Sequence, residues 1–320
     1  MKHTPILIIL IFILILVLVY QKKLNHKVER FRNIRNNAVH TVFILKENIT
    51  FLEEWIEYHK KIGFNKFYLY DNSGSIGRNS STKSKTKYNF NIDKMIKLSD
   101  SEIQTHLDKI LKKYPEITYV KWQPRDKKGN IVYGYIDSIY NYFKNYKNDN
   151  DWTAFIDIDE FIYVNYNNNI NSFIDRLDKD ISQISMHQKK MEDRFCSLKN
   201  NILEIENSLE VDTHKWGHKN IIKNSSINLD TFREENRNSN MHYIKTHTGE
   251  RKLFSPEEIV FYHYNVNAKQ IKWIKKNNKK FTKIKNKKLN NKDSSQIKNY
   301  HNDFIDSDYI KKHYQELCYF

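Results

Sequence analysis

The amino-acid order predicts an α/β protein with a mostly parallel sheet flanked by helices, behind an N-terminal transmembrane helix. Three observations lead there. Residues 5–20 form one uncharged apolar run. Between residues 38 and 164, short β-branched and aromatic runs alternate with segments of helical period, the order that builds parallel βαβ units. Finally, 39% of the 320 residues are hydrophobic and 14% aromatic, too apolar a chain for disorder and enough to fill a core.

A four-residue tail, 1–4, precedes the run Pro5 to Tyr20. That run is a little shorter than the roughly 20 residues of a straight spanning helix. No small-residue cleavage pattern follows it, so an uncleaved, single-pass type II signal anchor is expected, in a Golgi- or ER-like membrane. Residues 21–37 read as a basic stalk. Its Lys22, Lys23, Lys27, Arg30, Arg32 and Arg35 would keep the following bulk cytosolic by the positive-inside rule. A short-tailed signal anchor would place that bulk in the lumen, and the sequence leaves the orientation open. Asn48, Asn79 and Asn224 stand in N-x-S/T sequons, which matter only on the luminal side.

Ala38 to Leu45 reads as a buried strand. Thr50 to Ile62 reads as an amphipathic helix, with Thr50 and Glu53 as a capping box and Gly63 as its stop. Trp55, Tyr58 and His59 on it are expected to pack in the core. Phe67 to Tyr70 is a second strand closing in Asp71-Asn72-Ser73-Gly74-Ser75. A Ser- and Lys-rich loop follows to Asn89. Ser99 to Lys113 is predicted helical, with Ser99 and Glu102 as a capping box. Ile117 to Trp122 is a third strand, Ile131 to Tyr146 a helix, and Trp152 to Ile158 a fourth strand. Phe161 to Val164 follows it, and His242-Tyr243-Ile244 also reads as a strand. Trp122 and Trp152 are expected in the core. Residues 189–212 read as a polar excursion.

The formal net charge is +16, but residues 269–292 hold eleven lysines and no acid. Without them the rest of the chain is only mildly basic, so a solvated lysine-rich face is expected and no nucleic-acid partner. Two cysteines, Cys196 and Cys318, exclude a disulfide scaffold and a cysteine-rich zinc module.

The chemistry concentrates in Trp152-Thr-Ala-Phe-Ile-Asp157-Ile-Asp159-Glu160. On a strand, residues two apart share a face, so Asp157 and Asp159 would emerge together. Two such carboxylates repel each other, and a hard divalent cation, Mn²⁺ or Mg²⁺, relieves that repulsion. The C-terminal ends of strands in α/β sheets are where ligands bind, and a metal-bound diphosphate suits the pair. The competing reading is a solvated Asp-x-Asp turn.

Three blocks in this order resemble glycosyltransferase family 92 and its family-2-like relatives. They are Lys46-Glu-Asn-Ile-Thr-Phe-Leu-Glu-Glu-Trp-Ile-Glu-Tyr-His59 with Phe67-Tyr-Leu-Tyr-Asp-Asn-Ser73, then Trp152 to Ile162, then His263-Tyr264 with Lys269. The likeness covers roughly residues 38–280, leaving 281–320 as a lysine-rich C-terminal tail. The family's Asn-Glu is swapped here to Glu47-Asn48, and Lys269 is followed by Gln270 where the family has Ser. The resemblance implies a GT-A fold, a UDP-linked nucleotide-sugar donor, Mn²⁺, and transfer with inversion, galactose being a common sugar. It implies Asp157 and Asp159 at the metal and diphosphate, and Asp71 and Lys46 near the nucleotide. It makes His263 a metal ligand, with His242 as the alternative.

Inversion needs a base to take the acceptor proton. Asp193, with Glu192 beside it, is the candidate, against the reading of a surface acid in a charged loop. His214 and His218 are four apart, but Trp216-Gly217 between them argues against a helical metal pair. The function expected is a membrane-anchored, metal-dependent glycosyltransferase acting on a glycan or glycoconjugate hydroxyl. The alternatives are an inactive binding or scaffold protein on the same fold and, more remotely, a metal-dependent nuclease or nucleic-acid binder.

Overall fold

Alternation of side chains along the first strands sets up two cores. In β1 (Asn37–Phe43) Val39 and Phe43 enter one apolar cluster, while Ala38 and Val42 enter another. In β2 (Lys66–Asp71) Phe67 and Leu69 join the first cluster and Tyr68 and Tyr70 the second. This is the period-two pattern of a strand buried on both faces. Helices α1 (Leu45–Lys61), α2 (Asp100–Lys113) and α4 (Ile170–Ile174) contribute Trp55, Leu107 and Phe173 to the first cluster. Helices α3 (Tyr135–Tyr146) and α5 (Leu229–Glu235) contribute Tyr142 and Phe232 to the second. The layers are therefore helix, sheet, helix.

This computed structural model describes residues 21, 35–75, 98–165, 168–191, 208–212, 217–237, 239 and 242–264. Residues 36–320 form one unit, separate from 1–35. The expected anchor at 5–20, nearly all of the stalk, Cys196, Cys318 and the lysine run at 269–292 lie outside the described residues. No described helix is long and apolar enough to cross a membrane.

The remaining strands are β3 (Ile117–Lys121), β4 (Trp152–Phe155), β5 (Glu160–Val164), β6 (Ile181–Met191), β7 (Ser208–Asp212), β8 (Lys219–Lys223), β9 (Glu250–Leu253) and β10 (Ile259–Tyr264). The sheet order is β3-β2-β1-β4-β8-β6-β10-β5, with β7 and β9 also on β6. Strands β1 to β4 are mutually parallel. Strand β8 enters antiparallel between β4 and β6, so the sheet is mixed where a mostly parallel one was expected. The eleven-residue β6 spans both parts. Its residues 183–186 pair with β8, and 187–191 pair with β10. The second half of β6 thus carries a smaller sheet of β7, β10 and β5 past the end of the parallel strands.

Several boundaries move. Helix α1 begins at Leu45, so Thr50 lies inside it and is not its cap. Its open end is served from outside: the Leu45 N–H donates to Ser73 Oγ at 3.1 Å and to Asp71 Oδ1 at 3.4 Å. Glu53 turns instead to Lys113 and Tyr114 on and beyond α2. Gly63 does end the helix region with φ +107°, where an added Cβ would lie 2.9 Å from Asn171 Nδ2. The capping box of Ser99 and Glu102 is present. Helix α3 starts at Tyr135, not Ile131, because Gly134 takes φ +53° and blocks the turn before it. The expected excursion at 189–212 begins inside β6 and ends inside β7. His242 to Ile244 forms a turn and an isolated bridge, not a strand.

Candidate active site

The C-terminal ends of the parallel strands gather four segments on one edge. Phe43, Asp71 and Lys121 are in register across β1, β2 and β3, and β4 ends at Phe155, opposite His40 of β1. Strand β4 was expected to run on through Asp157 and Ile158. It stops because the chain must reverse into β5, which belongs to the second sheet. Asp157 and Asp159 consequently sit in the tight β4–β5 turn and do not share a strand face. Ile156 and Ile158 anchor that turn in the core.

The turn is fixed by its own acid and by α1. The Asp157 N–H donates to Glu160 Oε2 at 2.9 Å, and the Glu160 N–H donates to the Asp157 carbonyl at 3.1 Å. Three residues of α1 then grip the start of β5. Trp55 Nε1–H donates to the Glu160 carbonyl at 2.9 Å, and Tyr58 O–H donates to the Ile162 carbonyl at 2.8 Å. His59 Nδ1–H donates to the Trp55 carbonyl at 2.8 Å, leaving Nε2 to accept the Ile162 N–H at 3.4 Å. All three therefore pack as expected, and their polar atoms set where the acids stand.

Two charged side chains close on the turn from distant strands. Lys219, the first residue of β8, is 1% exposed. Its Nζ lies 3.0 Å from Asp157 Oδ2 and 3.0 Å from Glu160 Oε2. Burial alone would lower this ammonium's pKa, but Asp157 and Glu160 hold it above its ordinary value. Burial pushes Glu160 up to about 7, against the pull of Lys219 and with Asp157 adding to the rise. His263 on β10 lies opposite Glu160 in the ladder. Its Nε2 is 3.4 Å from Asp159 Oδ2, and the Gln188 side-chain amide hydrogen-bonds its Nδ1. Burial would lower His263, yet Asp159 and Glu160 outweigh it and raise its pKa. Tyr135, at the start of α3, stays neutral for the same reasons in reverse: burial first, then the charges of Asp157 and Glu160.

Asp159 Oδ2 and His263 Nε2 are both buried and neither has a hydrogen-bond partner. Their separation of 3.4 Å is long for a hydrogen bond. It is the span expected of two donors each about 2.1 Å from one cation. A carboxylate oxygen and an imidazole nitrogen are both donors to divalent cations. Asp157, expected as the companion ligand, is turned to Lys219. Among the described residues, no three His, Cys, Asp or Glu side chains already gather around one point.

The other expected site residues are spread around this edge. Asp71 is buried and accepts from Ser73 Oγ at 2.5 Å, the Ser73 N–H at 3.0 Å and Tyr119 O–H at 2.6 Å. It organises the end of β2 and the start of α1. Lys46 lies in the first turn of α1, not at a strand end, with Nζ 3.4 Å from Asp100 Oδ1. His242 is not on the ion pair itself. Its Nδ1–H donates to the His218 carbonyl at 3.0 Å, and burial and then Lys219 lower its pKa to about 4. Glu192, Asp193 and His214 lie outside the described residues. The sequence reading passed over Lys219, Gln188 and Tyr135. A lysine two places ahead of the apolar Ile221-Ile222 was the one available signal.

Residues 96–307, more than half of the chain, match the family described as glycosyltransferase family 92. The chain belongs to glycosyltransferase family 92. It is therefore a glycosyltransferase, and the acidic turn, Lys219 and His263 all lie inside the matched segment. The first block of resemblance, Lys46 to Ser73, lies before it. No curated protein matches this family 92 chain. Among solved structures, it is similar to glucosyl-3-phosphoglycerate synthase from Mycobacterium tuberculosis in complex with Mn²⁺, uridine diphosphate and glucosyl-3-phosphoglycerate. That likeness has a TM-score of 0.31 at 10% identity over 74% of this chain and 75% of that one, too slight to carry an argument.

Proposed function

We propose that this family 92 transferase has a GT-A-type scaffold and is anchored in a membrane by residues 5–20. It moves a sugar from a UDP-linked donor to a glycan or glycoconjugate hydroxyl, with inversion and with Mn²⁺. Family membership supplies glycosyl transfer. One observation carries the metal-dependent reading: the buried, unsatisfied Asp159 Oδ2 and His263 Nε2 face each other at the C-terminal edge of the parallel strands. Asp159 and His263 would hold the ion. Bound there, a divalent cation supplies charge neutralisation for a departing nucleoside diphosphate.

The chain's own groups divide the remaining work. Glu160 and the α1 clamp fix the turn, so the acids need no reorganisation when a donor arrives. Gln188 orients the His263 ring through its Nδ1. Ligands of α/β sheets bind outside the carboxyl ends of the strands, so the donor approaches from there.

Thermal unfolding of the full-length chain with UDP and Mn²⁺, together and singly, tests this reading. A ligand that binds only the folded state raises the melting temperature. UDP with Mn²⁺ should raise it by several degrees, and Asp159→Asn should abolish the rise. An unchanged shift in Asp159→Asn would sink the metal assignment. No shift with any nucleotide, from folded protein, would favour the inactive scaffold.

A further inference from the structure

The acidic turn has two unlike halves. On one side Asp157 and Glu160 share a buried ammonium, with Lys219 Nζ 3.0 Å from an oxygen of each. On the other, Asp159 Oδ2 and His263 Nε2 meet with no hydrogen-bond partner. The asymmetry is built by topology. β8 runs antiparallel to β4, with Asn220 opposite Phe155, so Lys219 falls just past the end of β4, where the turn begins. β10 places His263 opposite Glu160.

We infer that Lys219 is a built-in cation that fills the Asp157 half of the motif, so that the site takes a single divalent ion at the Asp159–His263 half. This rests on the metal-dependent reading above. One argument carries it: a divalent ion ligated by Asp157 would stand beside the buried Lys219 ammonium, already 3.0 Å from Asp157 Oδ2 and Glu160 Oε2, in an interior where like charges are poorly screened. Lys219 is thus a positioning residue: it acts through Asp157, whose carboxylate it holds in place. Without the ammonium, the neighbouring Asp157 and Glu160 carboxylates would lose the cation that stands between them, a place a divalent ion would then fill.

The test titrates Mn²⁺ alone into the full-length chain and reads free Mn²⁺ by electron paramagnetic resonance. The wild type should bind one ion. Lys219→Met should either take a second ion or bind the first at least about tenfold more tightly, a change of the size that outer-shell groups impose on metal sites. A folded Lys219→Met that still binds one ion, within about threefold of wild type, overturns the inference, because a merely structural ion pair leaves stoichiometry alone. Should that variant not fold, Asp157→Asn decides. It should keep wild-type Mn²⁺ affinity within about threefold, while Asp159→Asn loses about tenfold or more. Equal losses in both would overturn the inference and leave the metal reading standing. A wild type that binds no Mn²⁺, alone or with UDP, removes the metal reading and this inference together.

Discussion

At the scale of single residues, burial decides which polar groups can act. Asn224 sits in a sequon, yet it is 1% exposed and fully occupied. Its Nδ2 donates to Tyr142 Oη at 3.1 Å and to the Lys147 carbonyl at 3.2 Å, and its Oδ1 accepts from Thr153 Oγ1 at 2.8 Å. A folded chain cannot present this amide to a glycosylating enzyme. Asn224→Ala leaves those partners unsatisfied in the interior and should cost about 2–4 kcal/mol of stability, read as a lower urea midpoint with an unchanged m-value. An unaltered midpoint would mean that the network is not made. The same scale shows what a sequence reveals. Asp157 and Asp159 are legible because two acids follow an apolar run, a pattern local enough to see. Lys219 is one of 54 basic residues, and its carboxylate partner is 62 positions away. Only pairing of β8 with β4 selects it.

At the scale of elements, α1 is the part that turns packing into site geometry. Its Trp55, Tyr58 and His59 rings cluster with Phe161, and their polar atoms bind the main chain of Glu160 and Ile162. Trp55→Phe keeps most of the buried ring but leaves the Glu160 carbonyl without this donor. Stability should fall by about 1–3 kcal/mol, and amide exchange across residues 158–162 should quicken more than across β1. Uniform exchange changes would argue that α1 does not hold the turn. The existence of α1 and α2 was legible from helical period, and the Ser99 box fixed the start of α2 because both of its partners lie within one turn. The start of α1 was not legible. Its caps, Ser73 and Asp71, arrive from the end of the next strand, and no local pattern encodes that. The strand break at Phe155 was hidden likewise, since Ile156 and Ile158 continue the apolar alternation while serving as anchors of a turn.

At the scale of the whole molecule, the parallel half of the sheet was legible from alternating elements, and the second sheet was not. Strand β6 changes partners midway, and an apolar–polar sequence does not say which neighbour each half will find. The layered core that results also gives the protein a pH dependence. His40, on β1, is enclosed by Tyr70, Tyr135, Tyr142 and Phe155, and burial lowers its pKa to about 3. Burial also lowers His59 to about 3, despite the Trp55 carbonyl. Both folded values lie below the unfolded value of 6.5. The unfolded chain therefore takes up protons first as the pH falls. Stability from these two groups is complete above about pH 6.5 and is lost between there and pH 3, by about 1.4 kcal/mol per pH unit for each once below the unfolded pKa. Glu160, raised to about 7, works in the opposite sense over part of the window, because its folded form takes the proton first. A substitution separates the contributions. His40→Phe suits a cage of aromatic rings and removes one titrating group. Urea unfolding of wild type and His40→Phe between pH 7 and pH 4.5 should therefore show stability falling less steeply in the variant, by about 1.4 kcal/mol per pH unit below pH 6. Parallel curves for the two proteins would mean that His40 is already protonated in the folded state, and that the aromatic cage does not exclude water as its packing requires.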